Sequence, residues 1–438
     1  MKPWNARPKT VVVSAILATL TATGCGAASP SGSSPASAIP PGPFAVNSSA
    51  CPADAATPLA PGAPLEVGTV APLSGPASAT AGYSQGMKLY FDKLDAEQGG
   101  VEGHPLRLIA KDDQYDPTKT VPQVTSLVSQ EKVFALLGQA GTANVAASEP
   151  LVERYCVPDL WAISGDTKFG DPGPHSWVTG GYTLYSVEAT AWARYIAGQK
   201  PGATVAFLQV DNDAGATYSK FFTTAARKAG LNIVVTQKFA PTATNVDSQI
   251  SAMLAEQPDY VVGAVLTSIC GSFQNLLAQG GFRGGVLAPG YCGSKALLTA
   301  AGDAANGMVY GTAYRDPTNP ANAGNADVQQ FLSDVQKYGG GLVPSPFTID
   351  GYRLARLFTD TVKRAAAMPG GLTRVNLMNA AWNLDTTLFD SYCGTAKTNG
   401  ARDPFVDECV GLLRYDTTSG AKQVGSFDAE GQGRTLGE

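Results

Sequence analysis

The chain has 438 residues, which is more than one ordinary hydrophobic core serves, so its length favours two lobes with additional segments. Hydrophobic residues make up 44% of the chain and charged residues 15%, proportions typical of a soluble globular protein. The formal net charge is −5 and no basic run is present, which argues against nucleic acid as a partner.

The first residues have the pattern of an export signal. Three basic residues precede an apolar run at 11–23, which is too short to span a bilayer as a stable helix. Gly24 and Cys25 end this run and resemble the lipobox of bacterial lipoproteins, in which residues 1–24 are removed and the Cys is lipidated. An ordinary signal peptide with an incidental Cys is the alternative. We therefore expect an extracytoplasmic protein, held at the cell membrane by lipid on Cys25.

Residues 25–63 are dominated by Ala, Ser, Pro and Gly, with almost nothing large to bury. This composition predicts a semi-extended tether between the membrane and the folded body.

The chain contains seven cysteines, and six remain if Cys25 carries lipid. An even number of cysteines in an exported chain indicates disulfide bonds, although six permit about fifteen pairings and buried free thiols are the alternative. Neither a CxxC motif nor a Cys/His cluster is present, so we expect no zinc site and no other cofactor. Nearness in sequence favours Cys270–Cys292 and Cys393–Cys409, which leaves Cys51–Cys156.

Strand-like and helix-like segments then alternate along the chain. In the first run the predicted strands are 65–71, 106–110, 133–137 and 159–163. The predicted helices of this run are 83–98, 117–130 and 145–155. A Gly- and Pro-rich break follows at 170–181.

The same alternation restarts after the break. The predicted helices are 183–196, 215–229, 246–255, 271–279, 326–338 and 348–367. The predicted strands are 204–209, 232–238, 260–265, 286–288, 309–313 and 410–415. Alternation of this length predicts an α/β fold with parallel sheets covered on both faces, and two consecutive runs predict two lobes.

In such sheets, ligands bind beyond the carboxyl ends of the strands. The loops at these positions are 73–76, 138–142, 164–166, 211–214, 267–268 and 290–292. Backbone N–H groups and the hydroxyl of Thr142 in the second loop suit a carboxylate at a helix start. Ser164 and Asp166 offer a further hydroxyl and carboxylate. Tyr291 with Trp161 offers an aromatic wall, and a place in the core is the alternative for Trp161. Plain helix capping is the alternative for each polar loop.

Residues 82–86 (GYSQG) fit the G-x-S-x-G pattern of a hydrolase nucleophile, but a loop precedes them where that motif requires a strand. The only histidines, His104 and His175, lie in turn-like segments. Ser84 is therefore predicted to cap or open the first helix. An exported hydrolase is the least favoured hypothesis, and we expect no enzyme activity.

The order of motifs resembles the branched-chain amino acid (Leu/Ile/Val)-binding proteins of ABC transporters, which have the type I periplasmic-binding fold. The resemblance runs from about 65 to about 385. It rests on VGTVAPLSG (67–75), GGVEG (99–103), KDDQYDPTKT (111–120) and Leu137-Gly138 in that order, together with GDAANGMVYGTAY (302–314) and IDGYRLARL (349–357).

The resemblance implies two Rossmann-like lobes joined by a three-crossing hinge. The implied N-terminal lobe comprises 64–180 and 315–385, the C-terminal lobe comprises 181–314 and 386–425, and 426–438 form a tail.

The resemblance also implies a site. Thr142 falls where the family has a ligand-binding hydroxyl, and Asp213 falls where it often has Tyr. No acid stands at 290–292, where one that pairs with the ligand ammonium is common. Either Asp166 or Asp213 takes that role, or the ligand is not an α-amino acid. The candidate ligand-binding residues are Gln139, Ala140, Gly141, Thr142, Ser164, Gly165, Asp166, Asp213, Thr267 and Tyr291.

The implied function is that of a monomeric solute-binding receptor of an ABC importer. It captures a small polar ligand, such as an amino acid or a related compound, by hinge closure and delivers it to a membrane permease. A lipid-anchored sensor of the same fold that feeds a signalling partner is the alternative.

Overall fold

A computed structural model describes residues 43–75, 77–392 and 394–436. The predicted export signal and Cys25 lie outside these residues. Among the helices of the described residues, none combines the length and apolar character needed to cross a bilayer.

The first lobe is built on a five-stranded parallel sheet with the order β2-β1-β3-β4-β5. Its strands are β1 Leu65–Ala71, β2 Leu106–Asp112, β3 Ala135–Leu137, β4 Asp159–Ala162 and β5 Val178–Gly180. Its connecting helices are α1 Gly82–Gln98, α2 Pro117–Thr125 and α3 Thr142–Tyr155. A π-helical turn, Ser126–Gln130, extends α2, so both together occupy the predicted helix at 117–130.

The second lobe is built on a larger sheet. Its helices are α4 Tyr185–Gln199, α5 Asp213–Lys228, α6 Asp247–Ala255, α7 Thr267–Gln279 and α8 Lys295–Ala301. Its parallel strands are β6 Thr204–Val210, β7 Asn232–Phe239, β8 Tyr260–Ala264, β9 Gly285–Ala288 and β10 Val309–Thr312. Phe207 and Leu208 pack into separate apolar clusters because successive strand residues point to opposite faces, and both faces are buried.

The chain then returns to the first lobe. The elements there are α9 Ala326–Tyr338, α10 Pro346–Ala366, α11 Arg374–Ala381 and a two-stranded antiparallel sheet, β11 Asp385–Thr387 with β12 Thr395–Lys397. Leu388, Ala396 and Val406 belong to the apolar core of the first lobe. The segment that contains them, which the resemblance assigned to the C-terminal lobe from 386 onwards, therefore packs with the first lobe.

Two antiparallel strands complete the second sheet. They are β13 Cys409–Asp416 and β14 Gly420–Asp428, and the full order is β14-β13-β10-β9-β8-β6-β7. The strand–helix alternation, the parallel sheets and the two lobes expected from the sequence are confirmed.

Helices α1 and α10 cross with their backbones in contact. A Cβ atom on Gly86 would lie 1.9 Å from the carbonyl oxygen of Thr348, and one on Gly351 would lie 1.9 Å from that of Tyr83. Only glycine permits this approach. The second glycine of GYSQG is therefore a helix-packing residue, and the hydroxyl of Ser84 donates to the carbonyl oxygen of Ala81 at 2.9 Å within the first turn.

The N-terminal strap (residues 43–63) packs on the first lobe, although composition assigned it to the tether. The side chain of Asn383 accepts a hydrogen bond from the backbone N–H of Phe44 at 2.8 Å and donates to its carbonyl oxygen at 2.7 Å. The Phe44 ring packs edge-on against Trp382, with centroids 5.8 Å apart. One aromatic side chain and a pair of amide hydrogen bonds thus hold a segment that is otherwise poor in large residues.

Disulfide bonds add to this packing. Two predicted pairs are confirmed, with Cα atoms 5.6 and 5.4 Å apart: Cys51–Cys156 and Cys270–Cys292. Cys409 is also disulfide-bonded, and its predicted partner, Cys393, lies outside the described residues. The first pair joins the N-terminal strap to the end of α3, and the second joins α7 to the turn at 290–293.

Candidate functional site

A cavity of about 70 Å³ lies between the two lobes. Since roughly 10–15 Å³ is needed to hold one water molecule, the cavity has room for a small solute. The first lobe supplies Ala77, Thr80, Tyr83, Tyr115, Ala140, Gly141 and Ile163 to its wall. The first crossing and the second lobe supply Tyr182, Tyr185, Val210, Ala214, Tyr218, Ala264, Leu266, Thr267 and Tyr291.

Four candidates from the sequence lie directly on this wall: Ala140, Gly141, Thr267 and Tyr291. The hydroxyl of Tyr291 donates to the carbonyl oxygen of Val265 at 2.6 Å, which fixes the ring. Thr267 begins α7, and the Cys270–Cys292 disulfide ties that helix to the turn that carries Tyr291.

Thr142 and Ser164 lie next to this wall. Their hydroxyls are 2.8 Å apart, and Thr142 Oγ1 lies 3.4 Å from the hydroxyl of Tyr185. Gly165 is in close contact with Tyr185, since a Cβ atom there would lie 2.5 Å from its ring. The buried amide of Gln139 donates to Ser148 at 2.6 Å within the first lobe.

Asp166 and Asp213 instead join the two lobes. Asp166, in the loop after β4, accepts hydrogen bonds from the backbone N–H of Lys168 at 3.0 Å and from the hydroxyl of Thr217 on α5 at 2.7 Å. Lys168 Nζ lies 2.8 Å from a carboxylate oxygen of Asp213, also on α5. We call Asp166, Lys168, Asp213 and Thr217 the interlobe cluster. It includes both acids that the sequence offered as ammonium partners.

A buried acid that the sequence analysis did not select lies behind the wall. Glu188 on α4 accepts hydrogen bonds from the Tyr218 hydroxyl at 2.6 Å and from the backbone N–H of Gly290 at 3.0 Å. Burial raises the pKa of Glu188 to about 8, against the opposing effect of these bonds. A carboxyl group therefore does stand beside the turn at 290–292, but it comes from another element, and no local motif marks it.

A second unselected group lies at the hinge. Arg353 on α10 forms ion pairs at 2.7 Å with Asp350 and with Asp407, and all three side chains are at most 1% exposed. Burial raises the pKa of Asp350 to about 6, and Arg353 opposes that rise. We call these three residues the hinge network.

The hinge network touches every crossing between the lobes. Arg353 donates to the carbonyl oxygen of Gly181 at 3.2 Å, in the crossing that follows β5. Its guanidinium lies 5.6 Å from the ring centroid of Tyr314, in the crossing after β10. Asp407 lies in the third crossing, immediately before β13. One arginine thus contacts all three connections.

Both histidines contact groups other than Ser84. His104 Nδ1 is 2.8 Å from the carbonyl oxygen of Ala63, and His175 Nδ1 contacts the Glu149 carboxylate. The geometry therefore assembles no Ser–His pair among the described residues, and the G-x-S-x-G match is explained by helix packing.

Two parallel-sheet lobes, a three-crossing connection and a cavity between the lobes define the class of two-lobed α/β binding-protein folds. The chain belongs to the periplasmic binding protein family, whose family model matches residues 64–422. This confirms the resemblance drawn from the motifs. Membership of this family implies an extracytoplasmic location.

Relatives and solved structures agree with this assignment. A Leu/Ile/Val-binding protein homolog 7 from Brucella abortus is 22% identical over 333 residues, covering 72% of this chain and 82% of the relative. A branched-chain amino acid ABC transporter protein from Thermus thermophilus, solved with bound valine, has a TM-score of 0.76 at 20% identity, covering 86% and 99% of the two chains.

An ABC transporter solute-binding protein from R. palustris, solved in complex with benzoate, has a TM-score of 0.71 at 18% identity, covering 83% and 96%. At such identities the two structures establish the fold alone.

Proposed function

We propose that this protein is the solute-binding receptor of an ABC importer, which captures a small ligand in the interlobe cavity and presents it to a membrane permease. The observation that carries the proposal is the wall of the cavity, to which both lobes contribute. A ligand there contacts both halves only when they are together, so binding stabilises the closed arrangement. The related proteins named above bind valine and benzoate, which supports a small-molecule ligand.

The proposal assigns the ten candidate residues to two roles. Ala140, Gly141, Thr267 and Tyr291 contact the ligand directly, since they line the cavity. Thr142, Ser164 and Gly165 hold Tyr185 in place from behind. The remaining candidates act in the closure of the lobes or within the first lobe: Gln139, Asp166 and Asp213.

The test is a thermal-shift screen of the purified protein with amino acids, amides and small organic acids, followed by calorimetry and small-angle X-ray scattering. A ligand that binds only the folded state raises the melting temperature. We expect at least one compound to raise it and to reduce the radius of gyration. Conversion of any compound to a product, or a screen without a binder, would contradict the proposal.

Thr142→Ala provides a residue-level test. It removes a hydroxyl beside Tyr185 and should weaken binding of the screened ligand by about 1–3 kcal/mol, as measured by calorimetry. Thr361→Ala is the matched control, because this buried threonine donates to the carbonyl oxygen of Leu357 on α10 and does not line the cavity. Equal affinities of the two variants would remove Thr142 from the site.

The proposal also includes attachment to the membrane by lipid on Cys25. Its support is the sequence pattern around Gly24-Cys25. Cys25→Ala should move the protein from the membrane fraction to the soluble fraction, because the acyl chains supply the anchoring free energy. Retention of the variant in the membrane fraction would reject the anchor and leave the receptor role untouched.

A further inference from the structure

The described residues that form the wall of the interlobe cavity are rich in tyrosine and carry no charged side chain. Six of its residues are tyrosines, and most of the others are small or aliphatic. Among the described residues that form this wall, none is Asp, Glu, Lys, Arg or His. An ionised ligand group enclosed there would lose its hydration without gaining an opposite charge, which is strongly unfavourable.

The charged side chains of the interlobe cluster already form hydrogen bonds or an ion pair within the protein. Asp166 is occupied by Thr217 and by a backbone N–H, and Asp213 is paired with Lys168. The positive charge of Lys168 is therefore balanced by the carboxylate of Asp213. Asp166 has hydrogen-bond donors but no cation in the interlobe cluster. It is not among the described residues of the cavity wall, so it does not supply an ammonium partner on that wall.

The acid behind the wall is also unsuited to bind an ammonium group. Both oxygens of Glu188 accept hydrogen bonds, from Tyr218 and from Gly290. Its side chain is buried, and burial keeps its pKa near 8, so the carboxyl is mostly neutral at pH 7. Tyr218, which lines the cavity, stands between Glu188 and any ligand.

Hydroxyl groups are what the cavity does offer. Within the described residues, no hydrogen bond involves the hydroxyl of Tyr115, beyond the end of β2, or that of Tyr182, in the first crossing. Burial raises the pKa of both phenols, so both stay protonated. A neutral phenol both donates and accepts a hydrogen bond, so the pair suits an amide, carbonyl or hydroxyl group.

Stacked rings form another part of the wall. Tyr185 and Tyr218 stack with centroids 4.2 Å apart. Trp192, which is buried behind the wall, stacks on Tyr218 with centroids 5.3 Å apart. Such a rigid aromatic stack favours a planar ring at its edge or face over a flexible alkyl chain.

We infer that the cavity binds a small, uncharged aromatic solute whose polar group is hydrogen-bonded by Tyr115 and Tyr182. The inference rests on the proposed receptor function and specifies its ligand class. Of the two alternatives that the sequence analysis left open, it selects the one in which the ligand is not an α-amino acid.

The test uses four probe compounds and the purified protein. Benzamide is neutral and aromatic, benzoate has the same shape with a negative charge, and cyclohexanecarboxamide keeps the amide without the aromatic ring. L-Phenylalanine serves as the zwitterion. By calorimetry at pH 7, benzamide should bind roughly tenfold or more tightly than each of the other three.

Tyrosine variants locate the interaction. Tyr115→Phe and Tyr182→Phe should each weaken benzamide binding by about fivefold, the loss of one neutral hydrogen bond. Tyr195→Phe is the matched control, because Tyr195 lies on α4 outside the cavity wall, and its affinity should equal that of the unmodified protein.

Each contrary result has a distinct meaning. Tighter binding of benzoate, cyclohexanecarboxamide or L-phenylalanine overturns the inference and leaves the receptor function standing. Absence of benzamide binding also overturns it, and the broad screen then decides the receptor function separately. Unchanged affinity in both Tyr115→Phe and Tyr182→Phe overturns the assignment of the two hydroxyls.

Discussion

The hinge network and the cavity wall both lie at the boundary between the lobes, but their polar groups have opposite chemistry. The hinge network consists of one arginine and two aspartates that are at most 1% exposed. The cavity wall, in the part of the chain that the structure describes, has hydroxyls and no ionised group. Both regions lie along the boundary between the lobes, so their difference follows from what each does there.

The physical reason is the cost of leaving a buried charge alone. Arg353 keeps its partners permanently, because Asp350, Asp407 and the Gly181 carbonyl are parts of the same chain. A cavity gains and loses its partner whenever a solute enters or leaves. A neutral hydroxyl tolerates that exchange at a small cost, whereas an ionised group does not. The ionised groups therefore lie at the permanent connections between the lobes, and the hydroxyls lie where the proposed ligand would enter and leave.

The largest effect is expected from Arg353→Met, which tests whether the hinge network fastens the crossings. The substitution leaves Asp350 and Asp407 buried without their cation, so the free energy of unfolding should fall by about 3–5 kcal/mol. Denaturant-induced unfolding measures it. Lys363→Met on the same helix is the control, because its pair with Asp360 is exposed and should contribute only about 0–1 kcal/mol. Equal stabilities of the two variants would show that the hinge network does not fasten the crossings.

Glu188→Gln tests the claim that the acid behind the wall is neutral. The folded-state pKa of about 8 exceeds the unfolded value of 4.5, so the folded protein binds more protons between these limits. The contribution of Glu188 to stability is therefore fully present below about pH 4.5 and is lost as the pH rises to about 8.

Glu188→Gln should remove that dependence. Between about pH 5.5 and pH 8, the unmodified protein should lose about 2–3 kcal/mol relative to the variant, measured by unfolding at each pH. Glu256→Gln, at an exposed position, should behave like the unmodified protein. If the free energy of unfolding of Glu188→Gln depends on pH as that of the unmodified protein does, Glu188 is ionised in the folded state. The wall would then have an ionised group behind it, and its contrast with the hinge network would be smaller.

The smallest effect is expected from the interlobe cluster, whose charges are partly exposed. Lys168→Met removes an ion pair between the lobes and should weaken binding of the screened ligand by about 0.2–1 kcal/mol, less at high salt. Lys200→Met is the control, because its pair with Asp259 lies within the second lobe and does not change on closure. Calorimetry at two salt concentrations compares them, and equal affinities would exclude a role in closure.

Sequence patterns predicted the fold best where the local signal is strong. The predicted bounds of β1 and α9 equal the observed ones, since both segments show clear apolar periodicity. The short strand β5 was missed within the Gly- and Pro-rich break, because its pairing with β4 is set by distant residues. The strand β14 was missed as well, since an edge strand rich in polar residues has little apolar alternation.

The sequence predicted some residues of the candidate site and missed others, again according to the strength of the local signal. The rule for parallel sheets pointed to Ala140, Gly141, Thr267 and Tyr291, and all four line the cavity, although their contact with a ligand stays a prediction. Tyr218 gave no such signal, because it shares the buried face of α5 with phenylalanines and has the pattern of a core residue. The hinge network joins residues more than fifty positions apart, so only the three-dimensional structure brings it together.

The N-terminal strap also makes the two halves of the molecule mechanically unequal. Cys51–Cys156 fixes the amino-terminal segment to the first lobe alone. The covalent link from the N-terminal strap therefore reaches the first lobe at the end of α3. In the proposed lipid-anchored receptor, the first lobe would therefore be held at the point of attachment, and closure would move the second lobe relative to it.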